Sequence, residues 1–157
     1  MIQRIQSIFL LLAGTASVMV LFLPIWSNEV IGQYSVSADS ILVKMSDPVG
    51  NVLKTEPVAY VAALAAICAI VTFYTIFRFK TRKIQIKLGW LCILLNCALV
   101  VSFVYTITKG QHLLGIDEAG SFKAGFFMPF VSMVFVFLAN HYIRKDERLV
   151  RSIDRLR

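Results

Sequence analysis

Four long stretches of this chain, roughly 5–25, 58–77, 88–107 and 124–142, hold no Asp, Glu, Lys or Arg in their interiors. That absence removes the usual flag for an intramembrane ion path or proton relay. Cysteine is scarce, and its three copies, Cys68, Cys92 and Cys97, all fall inside these runs. With none in the intervening segments there is no disulfide framework and no metal-ligand spacing. A buried cysteine in such a run acts as a small apolar residue. Only two histidines occur. His112 with Asp117 and Glu118 matches no zinc or nucleophile motif, and His141 falls where a head-group boundary is expected. No enzymatic activity, cofactor or metal is therefore expected. A small-x-small cleavage site is missing after the first run, where Pro24, Ile25 and Trp26 follow instead. The apolar stretch Ile8–Leu23 also exceeds the ~7–15 residues of a signal core. The first run is expected to be an uncleaved anchor, with Trp26 as an interfacial aromatic at its outer end.

What is present is apolar. Of 157 residues, 58% are hydrophobic, and the mean hydropathy is +0.75. Each run approaches the ~20 residues that a helix rising about 1.5 Å per residue needs to cross a ~30 Å hydrocarbon core. In lipid the backbone must satisfy its own hydrogen bonds, so the runs are expected to be helices. The fold class expected is an all-α membrane protein, a four-transmembrane-helix bundle. Its short connections make residues 1–157 a single domain.

Charge then orients the bundle. Sixteen basic and nine acidic residues give a net +7. Arg4, the segment from Arg78 to Lys87 and the tail from Arg144 hold twelve bases against three acids. The segments 27–56 and 109–123 hold four bases (Lys44, Lys54, Lys109, Lys123) against six acids. This is the positive-inside asymmetry and predicts cytoplasmic N and C termini. Basic residues beside a membrane attract anionic head groups at about 1 kcal/mol each, so lipid is expected as a partner and nucleic acid is not.

In the first outer segment, Gln33–Ala38 alternates polar and apolar residues, as a half-buried strand does. Ile41–Met45 and Val52–Thr55 flank Ser46–Asn51, whose Pro48, Gly50 and Asn51 suit a hairpin turn. A small antiparallel sheet is expected there, resting on the helices because two or three strands alone are marginal. Thr55-Glu56-Pro57 reads as a helix start. The second outer segment offers one more short strand near His112–Ile116. The connection from Arg78 to Lys87 is too short for a domain and makes helices two and three antiparallel neighbours.

Several residues invite a packing role. Asn96, in mid-span, is expected to hydrogen-bond a neighbouring helix at about 0.6–2 kcal/mol; lining a polar binding site is the alternative. Ala59/Ala63, Ala62/Ala66 and Ala13/Ser17 have the small-xxx-small spacing that lets helices approach. Pro129 predicts a kink. In the tail, 144–157, Leu149, Ile153 and Leu156 recur at i, i+4 and i+7, giving an amphipathic helix that continues helix four or lies on the membrane surface.

Three stretches carry a family resemblance: Met1–Ser7, Phe79–Leu88, and Ala139–Ile143 leading into the tail. Together they resemble an uncharacterised family of small four-span membrane proteins from Bacteroidetes, classed as a domain of unknown function. The resemblance implies a Gram-negative inner membrane with periplasmic outer loops, and it transfers no catalytic residue.

The function these features predict is that of a non-enzymatic inner-membrane structural or accessory protein. Its basic cytoplasmic face would dock on anionic lipid or on a membrane or cytoplasmic protein partner. Arg82, Lys83, Arg144, Lys145, Arg148, Arg151 and Arg155 would supply charge, and Leu149, Ile153 and Leu156 the apolar stripe. The alternative, suggested by Asn96 and Pro129, is a small transporter or carrier with an interhelical or intersubunit cavity.

Overall fold

The computed structural model describes residues 3–28, 32–36, 40–45, 52–79, 81–114 and 120–154, with side chains described for 5–27, 36, 58–79, 81–109, 111–112 and 120–148. Among these residues four helices form: α1 (Gln3–Met19), α2 (Ala59–Phe77), α3 (Arg82–Leu114) and α4 (Ala124–Asp154). Among them α2, α3 and α4 each contain a stretch long and apolar enough to cross a membrane, while the apolar part of α1, Ile5–Met19, is shorter. Beyond Met19 the chain makes tight turns, with Leu23 N donating to Met19 O at 3.0 Å, before Pro24 ends the helical path.

α1 packs on α2 and α4, and α3 packs on the same two helices. Their directions alternate, giving an up-down-up-down bundle with the start of α1 and the end of α4 at one end. A single sequence period builds its interior. Gln6, Leu10, Ala13 and Ser17 on α1 are buried together with Val20 in the turn just after it, and Val61, Ala65, Cys68, Thr72 and Thr75 are buried on α2. Gln85, Gly89, Cys92, Asn96, Leu99, Phe103 and Thr106 follow on α3, and Gly125, Pro129, Ser132, Val136, Ala139 and Ile143 on α4. The steps alternate between three and four residues on every helix. This 3.5-residue repeat keeps one seam facing the neighbours, as in coiled-coil packing. Facing away are exposed apolar side chains on all four helices, such as Ile8, Ile70, Leu94 and Phe137. So broad an apolar surface is what a soluble monomer avoids.

The small residues of α2 pack in a register other than the one expected. Ala65 and Ala69 are buried, whereas Ala59 and Ala63 are exposed. Ala13 and Ser17 do lie in the bundle, and the Ser17 hydroxyl is 3.1 Å from that of Ser132. Ser17→Ala should cost about 0.6 kcal/mol, the size of a typical interhelical side-chain bond in a membrane protein. Chemical unfolding in detergent checks this, and Ser132→Ala should lose no more once Ser17 is gone.

At the other end sits an antiparallel five-stranded sheet in the order β4-β3-β2-β1-β5. Its strands are β1 (Trp26–Asn28), β2 (Gly32–Val36), β3 (Ser40–Met45), β4 (Val52–Pro57) and β5 (Ser121–Phe122). It is larger than expected because β1 and β5 join the hairpin strands. Trp26 pairs with both Val36 and Phe122. β5 lies beyond the expected His112–Ile116, since α3 stays helical to Leu114. Thr55-Glu56-Pro57 ends β4 rather than starting α2, and the helix N-cap is Val58. Proline is tolerated there because β4 is an edge strand. The expected turn at 46–51, Asp117 and Glu118 lie outside the described residues.

Trp26 is only 3% exposed, so it is a core residue, not the interfacial aromatic expected. The space it occupies depends on Gly120, where a Cβ would collide with the indole. Val20, Ile25, Val36, Val61, Leu99 and Phe103 join Trp26 in one apolar cluster that fills the sheet half of the bundle.

Candidate functional site

α3 and α4 are 33 and 31 residues long, or about 50 and 46 Å at 1.5 Å per residue. Both therefore outrun a ~30 Å hydrocarbon core. α4 carries straight on from its apolar part through Arg144, Lys145 and Arg148, so the tail continues helix four. Pro129 sits within this unbroken helix; its missing N–H leaves the Gly125 carbonyl without a helical donor.

At the end away from the sheet, the first turns of α3 and the last turns of α4 come together. Arg82 Nη2 lies 3.0 Å from Asp146 Oδ2, with both side chains partly buried. The Arg144 guanidinium stands over the Trp90 ring, 5.6 Å from its centroid, within range of a cation–π contact. Two of the bases singled out in the sequence are thus engaged within the chain. Lys83, Arg144, Lys145 and Arg148 are exposed. Leu149, Arg151 and Ile153 lie on α4 with side chains outside the description, and Arg155 and Leu156 fall beyond the described residues.

Asn96 is fully buried. Its Nδ2 donates to the Cys92 carbonyl of its own helix at 2.8 Å. Among the described residues the expected partner on a neighbouring helix is not found, and Oδ1 has no hydrogen-bond partner. Within the helix the Cys92 carbonyl takes the Asn96 backbone N–H on one lone pair and the side-chain amide on the other, a local closure that competes with a bond across the bundle.

Sequence reasoning missed the other buried amides. Gln6, Gln85 and Asn140 are 6%, 3% and 4% exposed. Gln85 Nε2 donates to the Thr75 carbonyl at 3.3 Å, while Gln6 Nε2 and both polar atoms of the Asn140 amide have no partner among the described residues. The Asn140 amide rests on Gly89, where any Cβ would strike it. The signal was there in the spacing. Gln85, Gly89, Cys92 and Asn96 advance by four, three and four residues, a polar-and-small seam on one helix face.

Near the sheet, a cavity of about 240 Å³ is lined by Trp26, Val104, Ile107, Thr108, Gln111, Gly120 and Phe122. It does not reach Asn96. Among the described residues, no group of three or more His, Cys, Asp and Glu is placed to hold a metal ion.

The class this defines is a small helical bundle with three membrane-length apolar helices, a sheet at one end and a basic patch at the other. The chain belongs to the family described as Domain of unknown function (DUF4293), whose model matches residues 2–156. No curated protein matches the chain.

Proposed function

We propose that this protein is a non-enzymatic accessory component of a bacterial inner membrane, with its basic end in the cytoplasm docking on anionic lipid head groups. α1 and the turns after it would supply the fourth crossing. At 17 residues the helix alone rises about 26 Å, and the turns to Leu23 extend it towards the ~30 Å needed. Both termini then lie on the cytoplasmic side, in keeping with the charge asymmetry.

The observation that carries the reading is the Arg82–Asp146 ion pair. It draws the extension of α4 against the start of α3, so that Lys83 and Lys145 project from one end of the bundle. Replacing both with alanine should weaken retention of anionic phospholipid by about 2 kcal/mol, roughly thirtyfold in affinity. Native mass spectrometry from detergent doped with anionic or zwitterionic lipid measures this. Equal retention of the two lipids by the unaltered protein would overturn the reading. Loss of a co-purifying protein on deletion of residues 149–157, with lipid retention unchanged, would point to a protein partner instead.

A second reading, a carrier for small solutes, is favoured by one specific observation, the unpaired amide atoms of Gln6, Asn96 and Asn140. Polar groups kept inside a membrane bundle mark substrate paths when they face its interior.

A further inference from the structure

The bundle interior is divided along its length. Nine polar residues are buried among those described: Gln6, Ser17, Thr72, Thr75, Gln85, Asn96, Thr106, Ser132 and Asn140. Eight lie in the half nearest the basic end or at mid-bundle. The exception, Thr106, is near the sheet, where its hydroxyl is 2.6 Å from that of Tyr60.

Their contacts order these residues by depth. Gln85, at the basic end of α3, reaches the Thr75 carbonyl of α2. One turn deeper, Asn140 of α4 covers Gly89 of α3. Next comes Cys92, whose Sγ is 3.6 Å from the Thr72 hydroxyl and 3.9 Å from that of Thr75; it shares a cluster with Ala13 and Val136. One further turn on each helix gives Asn96, Ser17 and Ser132. Beyond that level the seam becomes Val20, Val61, Ala65, Leu99 and Phe103, all within the large apolar cluster.

Three features separate this column from ordinary helix glue. The unpaired atoms belong to amides on three different helices, each at least nine-tenths buried. A buried polar group without a partner costs about 1–3 kcal/mol, so four such atoms would together consume much of a typical folding stability of ~5–15 kcal/mol. Finally, residues close to the column are small: Gly89, Cys92, Ala13 and Ala139 set no bulky side chain of their own against the amides.

We propose that the half of the bundle nearest the basic end is a hydrated inlet. Water enters between the ends of α1, α3 and α4, satisfies Gln6, Asn140 and Asn96, and stops at the apolar plug formed by Leu99, Phe103, Val61 and Val20. The walls offer donors and acceptors but, among the described residues, no buried charge. An ion would meet no counter-charge to offset its desolvation, so the inlet admits water and small uncharged hydrogen-bonding solutes. The inference shares its interior with the carrier reading but requires no turnover.

Cys92 is a native probe on the inlet wall. In the Cys68→Ala, Cys97→Ala protein, reconstituted in vesicles, a charged, membrane-impermeant methanethiosulfonate reaches the thiol only through water at the mouth. A small neutral hydrophilic thiol reagent is the main test. Added from the basic end, it should modify Cys92 at least tenfold faster than it modifies a cysteine at position 99 in the Leu99→Cys, Cys68→Ala, Cys92→Ala, Cys97→Ala protein. Asn140→Leu should slow modification of Cys92 about tenfold, and the charged reagent should be slower than the neutral one. Equal rates at positions 92 and 99, or faster reaction from the sheet end, would overturn the inlet. Hydroxyl-radical footprinting of the unaltered protein needs no substitution: Cys92 should be oxidised while Leu99 and Phe103 are spared, and sparing all three overturns the inlet equally. Urea or glycerol uptake by the same vesicles separates the two ideas. Labelling without uptake leaves the inlet standing and removes the carrier.

Discussion

Phe103→Ala should destabilise the bundle by about 3 kcal/mol, more than any other single truncation in its interior. Phe103 is fully buried in the cluster that closes the sheet half, with its ring centroid 6.2 Å from that of Phe126. Phe→Ala in the core of a soluble protein costs about 3–5 kcal/mol, as a transfer term plus a cavity term. Between membrane helices the transfer term shrinks, because a separated helix faces lipid instead of water. The lost dispersion contacts remain, which places the effect at the lower end of that range. Equilibrium unfolding in mixed micelles measures it. Val101→Ala is the control: its side chain is 69% exposed, and the change should stay within about 0.5 kcal/mol. A loss below about 1 kcal/mol at position 103 would mean that the sheet half is not closed by a packed plug.

The same plug shows which parts of the fold were legible in the sequence. Runs without charge marked the helices, because burial in lipid penalises every charge and the chain records that directly. Three strands were legible for a similar reason, β2 through its alternation and β3 and β4 through the turn residues in the sequence between them. Less visible was anything fixed by contact between distant segments. β1 has three residues and β5 has two, too few for a period, and each exists because Trp26 pairs with Val36 on one side and Phe122 on the other. The helix ends were misplaced in both directions: α1 stops at Met19, short of the expected residue 25, while α3 spans Arg82–Leu114 where 88–107 was expected. α3 and α4 run past their apolar cores since Arg82, Lys83 and Arg144–Arg148 favour helix as readily as the residues before them. Composition marks where a span leaves lipid, not where a helix stops.

For the candidate site the limit is chemical. Arg82, Lys83, Arg144, Lys145 and Arg148 could be read as a basic end, but only the structure shows that Arg82 meets Asp146 and Arg144 stands over Trp90. Gln6 and Gln85 lie within two residues of Arg4, Lys83 and Lys87, so in the sequence they pass for head-group residues. Their burial follows from the heptad seam, which places positions 6 and 85 in line with 10, 13 and 17 and with 89, 92 and 96. The spacing that hides the amides also aligns them.

Gly125→Leu should detach the sheet from the bundle and cost about 3 kcal/mol, at the upper end of the ~1–3 kcal/mol typical of overpacking. A Cβ at this position would stand 2.7 Å from both the Leu23 and the Pro24 carbonyl oxygens. Those are backbone atoms, held at the bend between α1 and β1 by bonds on either side. Gly125 N donates to Pro24 O at 3.0 Å, Ile25 N to Val36 O at 2.7 Å, and Lys123 N to Ile25 O at 3.0 Å. The carbonyls cannot withdraw without breaking the entry to β1 or its link to β5, so α4 must move off the bend. Gly14 provides the contrast. The nearest atoms to a Cβ there would belong to the Phe73 ring, at 3.0 Å, and a ring can turn, so Gly14→Ala should cost less. In a Trp90→Phe background the emission reports Trp26 alone, the other of the chain's two tryptophans. Its maximum should move to the red in Gly125→Leu as the buried indole meets water, and stay unchanged in Gly14→Ala. Lipid retention at the far end should survive in both variants, because the Arg82–Asp146 contact lies the full length of the bundle away. An unshifted emission maximum in Gly125→Leu, with stability within 1 kcal/mol of the parent, would mean that the start of α4 is free of the bend and that the sheet is held by other contacts.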